Sequence, residues 1–336
     1  MKPVIALTIG DYNGIGPEVV LKSVLRPEIR RLCTPVLVGS AEAFEWTARR
    51  VKLRITLQAG PRAGEPAPGT VNVIDPSPAT PVRVVPGALA ANAGASAGAA
   101  IKAAVALVHR GIADAVVTAP VSKQALHLAG YQVPGQTEML QQLTRSRHVA
   151  MMLVSSTLRV GLITIHLPLR AVASSLTPEL LRTRIAVIHD ALRTDWRIRQ
   201  PRLAVLGLNP HAGEGGDIGN EEQRLIIPAI AALRRRGMNI AGPFPADAFF
   251  SRYGGDTYDA VVAMYHDQGL VPLKMSAKGK AVNVSVGLPI VRTSPDHGTA
   301  FDIAGKGVAD PGSMMEAIRL AVTIARNRSM TRRKGR

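Results

Sequence analysis

The feature that most constrains this chain is alternation. Short apolar, β-branched runs exchange with helical patterns along nearly the whole sequence. "PVIALTIG" reads as a strand and "PEVVLKSVL" as the helix after it; "TPVLVGS" is a strand, followed by the helical "AEAFEWTARRV". "PRAGEPAPGT" is a Pro/Gly loop before the short strand "VNVID", and Ala88 to Arg110 reads as a long Ala-rich helix before the strand "ADAVVTAP". "VAMMLVSS" and "LRVGLITIH" form a hairpin pair. Thr177, Pro178 and Glu179 supply an N-cap, a Pro at the first helical position and an acid in the first turn of a helix reaching about Trp196. "PRLAVLGLN", "YDAVVAMYH" and "AVNVSVG" are further strands, with helices at "NEEQRLIIPAIAALRRRG" and "GSMMEAIRLAVTIARNR". Strands alternating with helices specify an α/β fold dominated by parallel pairing. Neither an internal repeat nor a clear linker is present.

A length of 336 residues suits one large α/β domain or two smaller lobes. Hydrophobic residues are 46% and aromatics only 4%, so the core is built from Ala, Val, Leu and Ile, as buried parallel strands require. Cys33 is the single cysteine, which excludes disulfides within the chain and any cysteine-based zinc site. A reducing, cytoplasmic setting is expected. The opening apolar run stops at Gly10 and Asp11, too short for a signal segment, and no apolar run is judged long enough to span a bilayer. The net charge of +17 is concentrated partly in the closing "RNRSMTRRKGR", and residues 329–336 are expected to form a basic disordered tail. A nucleic-acid role for that tail would leave the motifs below unexplained.

In open α/β sheets, ligands bind beyond the carboxyl ends of the strands. "VGLITIH" ends in His166, "LAVLGLNPH" leads to Asn209 and His211, and "AVVAMYH" ends in His266. Three strands ending alike are hard to assign to packing. Imidazole is the commonest neutral metal ligand, and three of them leave positions open for a substrate. Asp247 and Asp267 are candidate acceptors that would orient the rings. Glycine-dense turns at "GDYNGIGPE" and "HAGEGGDIGNEEQ" allow close backbone approach. Lys274, Lys278, Lys280 and Arg292, with Asn283 among them, would suit a phosphate if they converge.

"GDYNGIGPE", "TAPVSKQALHLAG", "PGQTEML", "LNPHAGEGG", "MYHDQGL" and "DHGTAFDIAGKG" together resemble the 4-hydroxythreonine-4-phosphate dehydrogenase family, from about residue 3 to 328. "GIGPE" and "HGTAFDIAGKGVADP" are also similar to the wider isocitrate and isopropylmalate dehydrogenase group. The resemblance implies two interleaved α/β lobes over residues 1–328, with mixed, mainly parallel sheets and an active site in the cleft between lobes. It implies a homodimer in which His166 and His211 bind metal and His266 completes the neighbouring subunit's site. Thr137, Lys274, Asn283 and Arg292 match substrate-binding positions, with Gln136 beside them; Gly298, Thr299, Asp302 and Gly305 fall in the cofactor segment.

The implied chemistry is NAD-dependent oxidation of the C3 hydroxyl of 4-phosphohydroxy-L-threonine, then decarboxylation to 3-amino-2-oxopropyl phosphate, a step of pyridoxal phosphate synthesis. NADP is the alternative cofactor. Three nitrogens and no thiolate suit zinc, cobalt or nickel better than magnesium or manganese. Relatives act on four-carbon sugar-acid phosphates such as D-erythronate or D-threonate 4-phosphate, or on dihydrodiol dicarboxylates. Two departures stand out. Gln136 replaces a family histidine in Gly135-Gln136-Thr137-Glu138, and Tyr12-Asn13 replaces Pro-Ala in the first glycine loop. Gln hydrogen-bonds a phosphate or hydroxyl but cannot become cationic.

Overall fold

The structure is a computed structural model that describes residues 2–60 and 70–334. Residues 61–69, most of the expected Pro/Gly loop, and residues 335–336 lie outside it. Up to Ser146 the elements are β1 (Val4–Thr8), α1 (Gly16–Val24), α2 (Pro27–Leu32), β2 (Thr34–Val38), α3 (Ala41–Arg50), β3 (Thr56–Ala59), β4 (Thr70–Ile74), α4 (Ala91–His109), β5 (Ala115–Val117), α5 (Lys123–Leu128) and α6 (Gln136–Thr144). Next come β6 (Ala150–Val154), β7 (Arg159–Leu162), α7 (Leu169–Ser175), α8 (Pro178–Thr194), β8 (Arg202–Leu206), α9 (Ile227–Arg235), β9 (Asn239–Phe244), α10 (Ala246–Ser251), β10 (Ala260–Ala263), α11 (His266–Ala277) and β11 (Val282–Val286). The chain closes with β12 (Arg292–Pro295) and α12 (Gly312–Lys334). Two compact units result: Met1–Ser146 with Leu288–Arg326, and Arg147–Gly287 with Asn327–Arg336.

The first unit carries strands in the order β3-β4-β2-β1-β5-β12, each hydrogen-bonded pair parallel. β1, β2 and β5 are almost wholly buried, which is why their sequences are runs of Val, Leu, Ile and Ala rather than alternating patterns. α4 packs closely on α5: a side-chain carbon at Gly94 would collide with the Ala125 carbonyl, so only glycine permits the approach. This helix corrects the expectation that no apolar run reaches bilayer length. Among the described residues it alone is long and apolar enough, because alanine fills it and Lys102 is its only lysine or arginine. Half of that stretch is buried, with Ala93, Ala97, Ala100, Ile101 and Ala104 facing inward as a core helix. On α1, the buried Glu18 pairs with Lys22 at 2.7 Å, and Lys22 donates to the Gly307 and Ala309 carbonyls at 2.9 and 2.7 Å. Glu18 also accepts from the Ala309 N–H at 2.9 Å, so one ion pair pins a distant loop.

The second unit orders its strands β11-β6-β7-β10-β8-β9. β11–β6 and β6–β7 are antiparallel; β7–β10, β10–β8 and β8–β9 are parallel. The expected hairpin is β6 and β7. α8 opens as its sequence requires, with Thr177 Oγ1 accepting from the Leu180 N–H at 3.1 Å. α12 continues to Lys334, so residues 329–334 are helical where a structureless tail was expected. The physical reason is anchoring: Arg328 forms an ion pair with Asp195 at 2.6 Å, and Asn327 donates to the Asp195 carbonyl at 2.7 Å. Cys33 is buried, and burial pushes its thiol up to about 12, leaving it inert at neutral pH.

Asp11, in the loop after β1, is fully buried. Its Oδ1 accepts from the Asn13 N–H at 2.9 Å, while Oδ2 has no partner among the described residues. Burial raises this carboxyl from 3.8 to about 6, against the lowering effect of the Asn13 bond. The folded state therefore holds this proton at pH values where the unfolded chain has lost it. Stability is highest below about pH 4 for this group and falls as pH rises through about 6. Asp11→Asn is expected to be near neutral in thermal unfolding at pH 4 and stabilising at pH 8. At about 1.36 kcal/mol per unit the ceiling is about 3 kcal/mol. A difference that does not grow with pH would count against a buried, ionised Asp11.

Candidate active site

β7, β10 and β8 are adjacent and parallel, so their carboxyl ends emerge side by side. His166 lies just beyond β7, His266 is the first residue of α11 after β10, and His211 sits in the turn after β8. His166 and His211 are exposed and His266 is 36% exposed, so none is a core histidine. His189, by contrast, is buried on α8 against its neighbour Asp190. The His166 and His266 rings approach to 5.8 Å between centroids. His266 Nδ1 lies 2.7 Å from Asp267 Oδ1, a contact in which Nδ1–H donates and Nε2 is the ring nitrogen left to face a ligand. Asp247 is exposed in the first turn of α10 and makes no hydrogen bond to a histidine among the described residues. Lys274 lies eight positions after His266 along α11, on the same helical face, and Asn283 is in β11.

The turn that carries His211 is unusual. From His211 to Gly215 every residue has positive φ (53, 53, 80, 40 and 70°), a left-handed run that includes His211, Ala212 and Glu214. Left-handed backbone costs non-glycine residues roughly 1–2 kcal/mol each, so something must hold it. Glu222 does. Its buried carboxylate accepts from the Leu208 and Asn209 N–H groups at 2.7 and 2.8 Å, and from Asn209 Nδ2 at 2.9 Å. The side-chain amide of Gln223 donates to the Gly215 carbonyl. Gly213 must be glycine twice over, since a side-chain carbon there would meet Glu222 Oε2 at 2.6 Å and the Gly219 carbonyl at 2.9 Å. Asn209 also donates to Glu221 at 2.7 Å and holds that carboxyl below its usual range.

Gln268 ties two of the strand ends together. Its Oε1 accepts from the Met264 N–H at 2.7 Å and its Nε2 donates to the Gly207 carbonyl at 2.6 Å. Glu222 and Gln268 were both passed over in the sequence. The signal was present for Gln268: a Gln at the third position of a helix reaches back to satisfy an N–H before it. α11 itself was missed, because Gly269 and Pro272 interrupt its pattern.

Three imidazole nitrogens on neighbouring strand ends are a donor set that suits a borderline divalent ion. Within one chain, no three His, Cys, Asp or Glu side chains among the described residues are gathered around a point. One chain thus presents the rings, with His166 and His266 the close pair.

In the first unit, Arg292 opens β12 and is 3% exposed. Its Nε and Nη2 donate to Thr118 Oγ1 at 3.2 and 2.8 Å, and Nη2 donates to Gln136 Oε1 at 3.1 Å. Burial lowers the guanidinium to about 10, opposed by Glu138, so it stays cationic at neutral pH. Thr137 follows Gln136 on α6. Of the expected cofactor residues, Thr299 accepts from the Ile15 N–H at 2.9 Å and lies against Gly14. Asp302 sits in a short 3₁₀ turn, and Gly305 has φ of 71°. A side chain at Gly298 would meet nothing, so this backbone is open to a ligand. His297 Nε2 is buried without a partner among the described residues. These features fit a cofactor segment. Asn13 explains its own departure: its side chain donates to the Ala88 carbonyl at 2.9 Å and accepts from the Val85 N–H at 2.8 Å.

The family of pyridoxal phosphate biosynthetic proteins PdxA matches residues 31–321. The chain belongs to that family. It is 44% identical to D-threonate 4-phosphate dehydrogenase of Cupriavidus necator over 330 residues, covering 97% of this chain and 98% of that one. It is 43% identical to 4-hydroxythreonine-4-phosphate dehydrogenase of Geobacter metallireducens over 327 residues, covering 97% and 96%. The solved 4-hydroxythreonine-4-phosphate dehydrogenase of Klebsiella pneumoniae is similar in structure, with a TM-score of 0.87 and 42% identity over 97% of this chain and 98% of that one. Membership in the PdxA family makes the chain an oxidoreductase, an NAD(P)-dependent dehydrogenase of a small phosphorylated substrate.

For the imidazoles, His166→Ala, His211→Ala and His266→Ala are each expected to weaken zinc binding at least about tenfold in calorimetric titration of chelator-treated protein. Unchanged affinity in all three would remove the histidines as ligands.

Proposed function

We propose that this protein oxidises the C3 hydroxyl of 4-phosphohydroxy-L-threonine with NAD, and that the product decarboxylates to 3-amino-2-oxopropyl phosphate in pyridoxal phosphate synthesis. The observation that carries the reading is the set of three accessible imidazoles at the ends of three adjacent parallel strands. A divalent ion, zinc by preference, held by His166, His211 and His266 would supply Lewis acidity to the hydroxyl being oxidised. Asp267 fixes the tautomer and orientation of His266. Homodimerisation, with His266 serving the neighbouring subunit, belongs to this reading, as do the substrate roles of Lys274 and Asn283.

Arg292 is the phosphate anchor in this reading. Its guanidinium is already aimed by Thr118 and Gln136, so little conformational freedom remains to be lost when an anion binds. Binding energy collected at the phosphate then places C3, which lies away from it. The segment around Gly298, Thr299, Asp302 and Gly305 would take the dinucleotide, which accepts the hydride when bound.

A second reading keeps the chemistry and changes the substrate to a four-carbon sugar-acid 4-phosphate. Gln136 favours it: a neutral amide stands where the family has a histidine, and the Cupriavidus necator relative acts on D-threonate 4-phosphate. The two are separated by NADH formation with 4-phosphohydroxy-L-threonine, D-threonate 4-phosphate and D-erythronate 4-phosphate side by side. Turnover of the threonine compound, abolished in His266→Ala, is the expected result. Turnover of the sugar acids alone would move the protein to the second reading. Arg292→Lys, which keeps the charge and loses the fork, is expected to raise KM about 10-fold or more for whichever phosphate ester reacts. An unchanged KM would take Arg292 out of phosphate binding.

A further inference from the structure

We propose that the second unit carries an anion site at the amino ends of β8 and β9, a basic cavity whose Arg193, Arg199 and Arg236 take a diphosphate group, free or as part of a larger ester. It does not depend on the metal reading of the histidines.

α8 and α9 pack together, and their carboxyl ends come to the place where β8 and β9 begin. Arg202 of β8 is in register with Asn239 of β9, so the two strand starts lie side by side. A cavity of about 640 Å³ opens there. Small-molecule sites are typically roughly 300–1,000 Å³. His189 and Arg193 reach the cavity from one face of α8, four positions apart. Arg199 comes from the loop before β8, and Arg236 from the residue that ends α9. This is the opposite end of β8 from the turn that carries His211.

His189 is only 8% exposed, and its Nδ1 lies 3.1 Å from Asp190 Oδ1. Asp190 is the one acid that lines the cavity among the described residues. The side chains of Arg193, Arg199 and Arg236 make no ion pair or hydrogen bond among the described residues. Helix dipoles favour a basic residue at a carboxyl end, which accounts for Arg193 and Arg236 as separate placements. They do not account for Arg199, which lies in a loop, or for all three lining one cavity. Each helix end carries about half a negative charge, so two ends and Asp190 offset about two of the three positive charges. A cationic surplus remains for an external anion. Guanidinium forks match phosphate oxygens in pairs. No Phe, Tyr or Trp lines the cavity among the described residues, so a flat ring finds no stacking partner and phosphate is the group to be read.

The test is calorimetric titration of the full-length protein, in buffer free of phosphate and sulfate, with inorganic pyrophosphate and with a short alkyl diphosphate. Arg193→Gln/Arg236→Gln is expected to weaken binding of both probes at least about 10-fold. The charge-matched control Arg31→Gln/Arg54→Gln, on exposed arginines of the first unit, is expected to stay within about twofold of the parent. Arg292→Lys is expected to leave a binding event that the Arg193→Gln/Arg236→Gln pair removes. Tighter binding of pyrophosphate supports a site for the free anion, and tighter binding of the alkyl diphosphate supports one for an ester. Arg199→Gln, a change in a surface loop, gives the same reading should the double variant fail to fold. Three outcomes overturn the proposal: a parent that takes up neither probe at millimolar concentration, equal weakening in the charge-matched control, or binding lost in Arg292→Lys and kept in Arg193→Gln/Arg236→Gln.

Discussion

Where a parallel strand stops, its last N–H and carbonyl groups lose their neighbours, and buried peptide groups must be satisfied by something else. The candidate active site is built from the answers to that requirement. Gln268 takes the end of β10, Glu222 takes the turn after β8, and Thr164 closes β7 onto β10. In the first unit, Thr118 stands just past β5 and receives Arg292. Polar side chains that finish the sheet also order the backbone that leads to His166, His211 and His266, and hold the Arg292 guanidinium.

Much of this was legible because burial writes itself into composition. β1, β2, β5 and β10 are short runs of aliphatic residues, and the histidines follow such runs directly. The start of α8 was legible because its cap is local. What was missed depends on partners far away in sequence. α11 carries Gly269 and Pro272, poor helix formers that tertiary packing overrides: Gly269 is buried close to Val160 and Ala263. The end of α12 has no apolar period, yet Asp195 holds it. The glycines of "PHAGEGG" announce a turn, but not that His211, Ala212 and Glu214 join its left-handed run, because Glu222 supplies that reason from outside the stretch.

The Gln136 departure also changes meaning with the structure. From sequence it is a lost cation. In the fold it is an acceptor for Arg292, and an amide can accept from the guanidinium while keeping an N–H to offer elsewhere. A protonated histidine at this place would instead set a second positive charge beside a buried one. The neutral residue adds no second positive charge beside Arg292, whose charged neighbour is Glu138.

The left-handed turn after β8 has one more consequence. Its tolerance to mutation is governed by chirality more than by chemistry. Ala212 contributes no functional group, yet a β-branched residue there would be resisted more strongly than a change of polarity, while glycine or asparagine would be accepted. By the same logic a mirror-image residue at Ala212, introduced by chemical ligation, would relax this backbone, so the turn is a place where the native handedness of the building block is itself a cost.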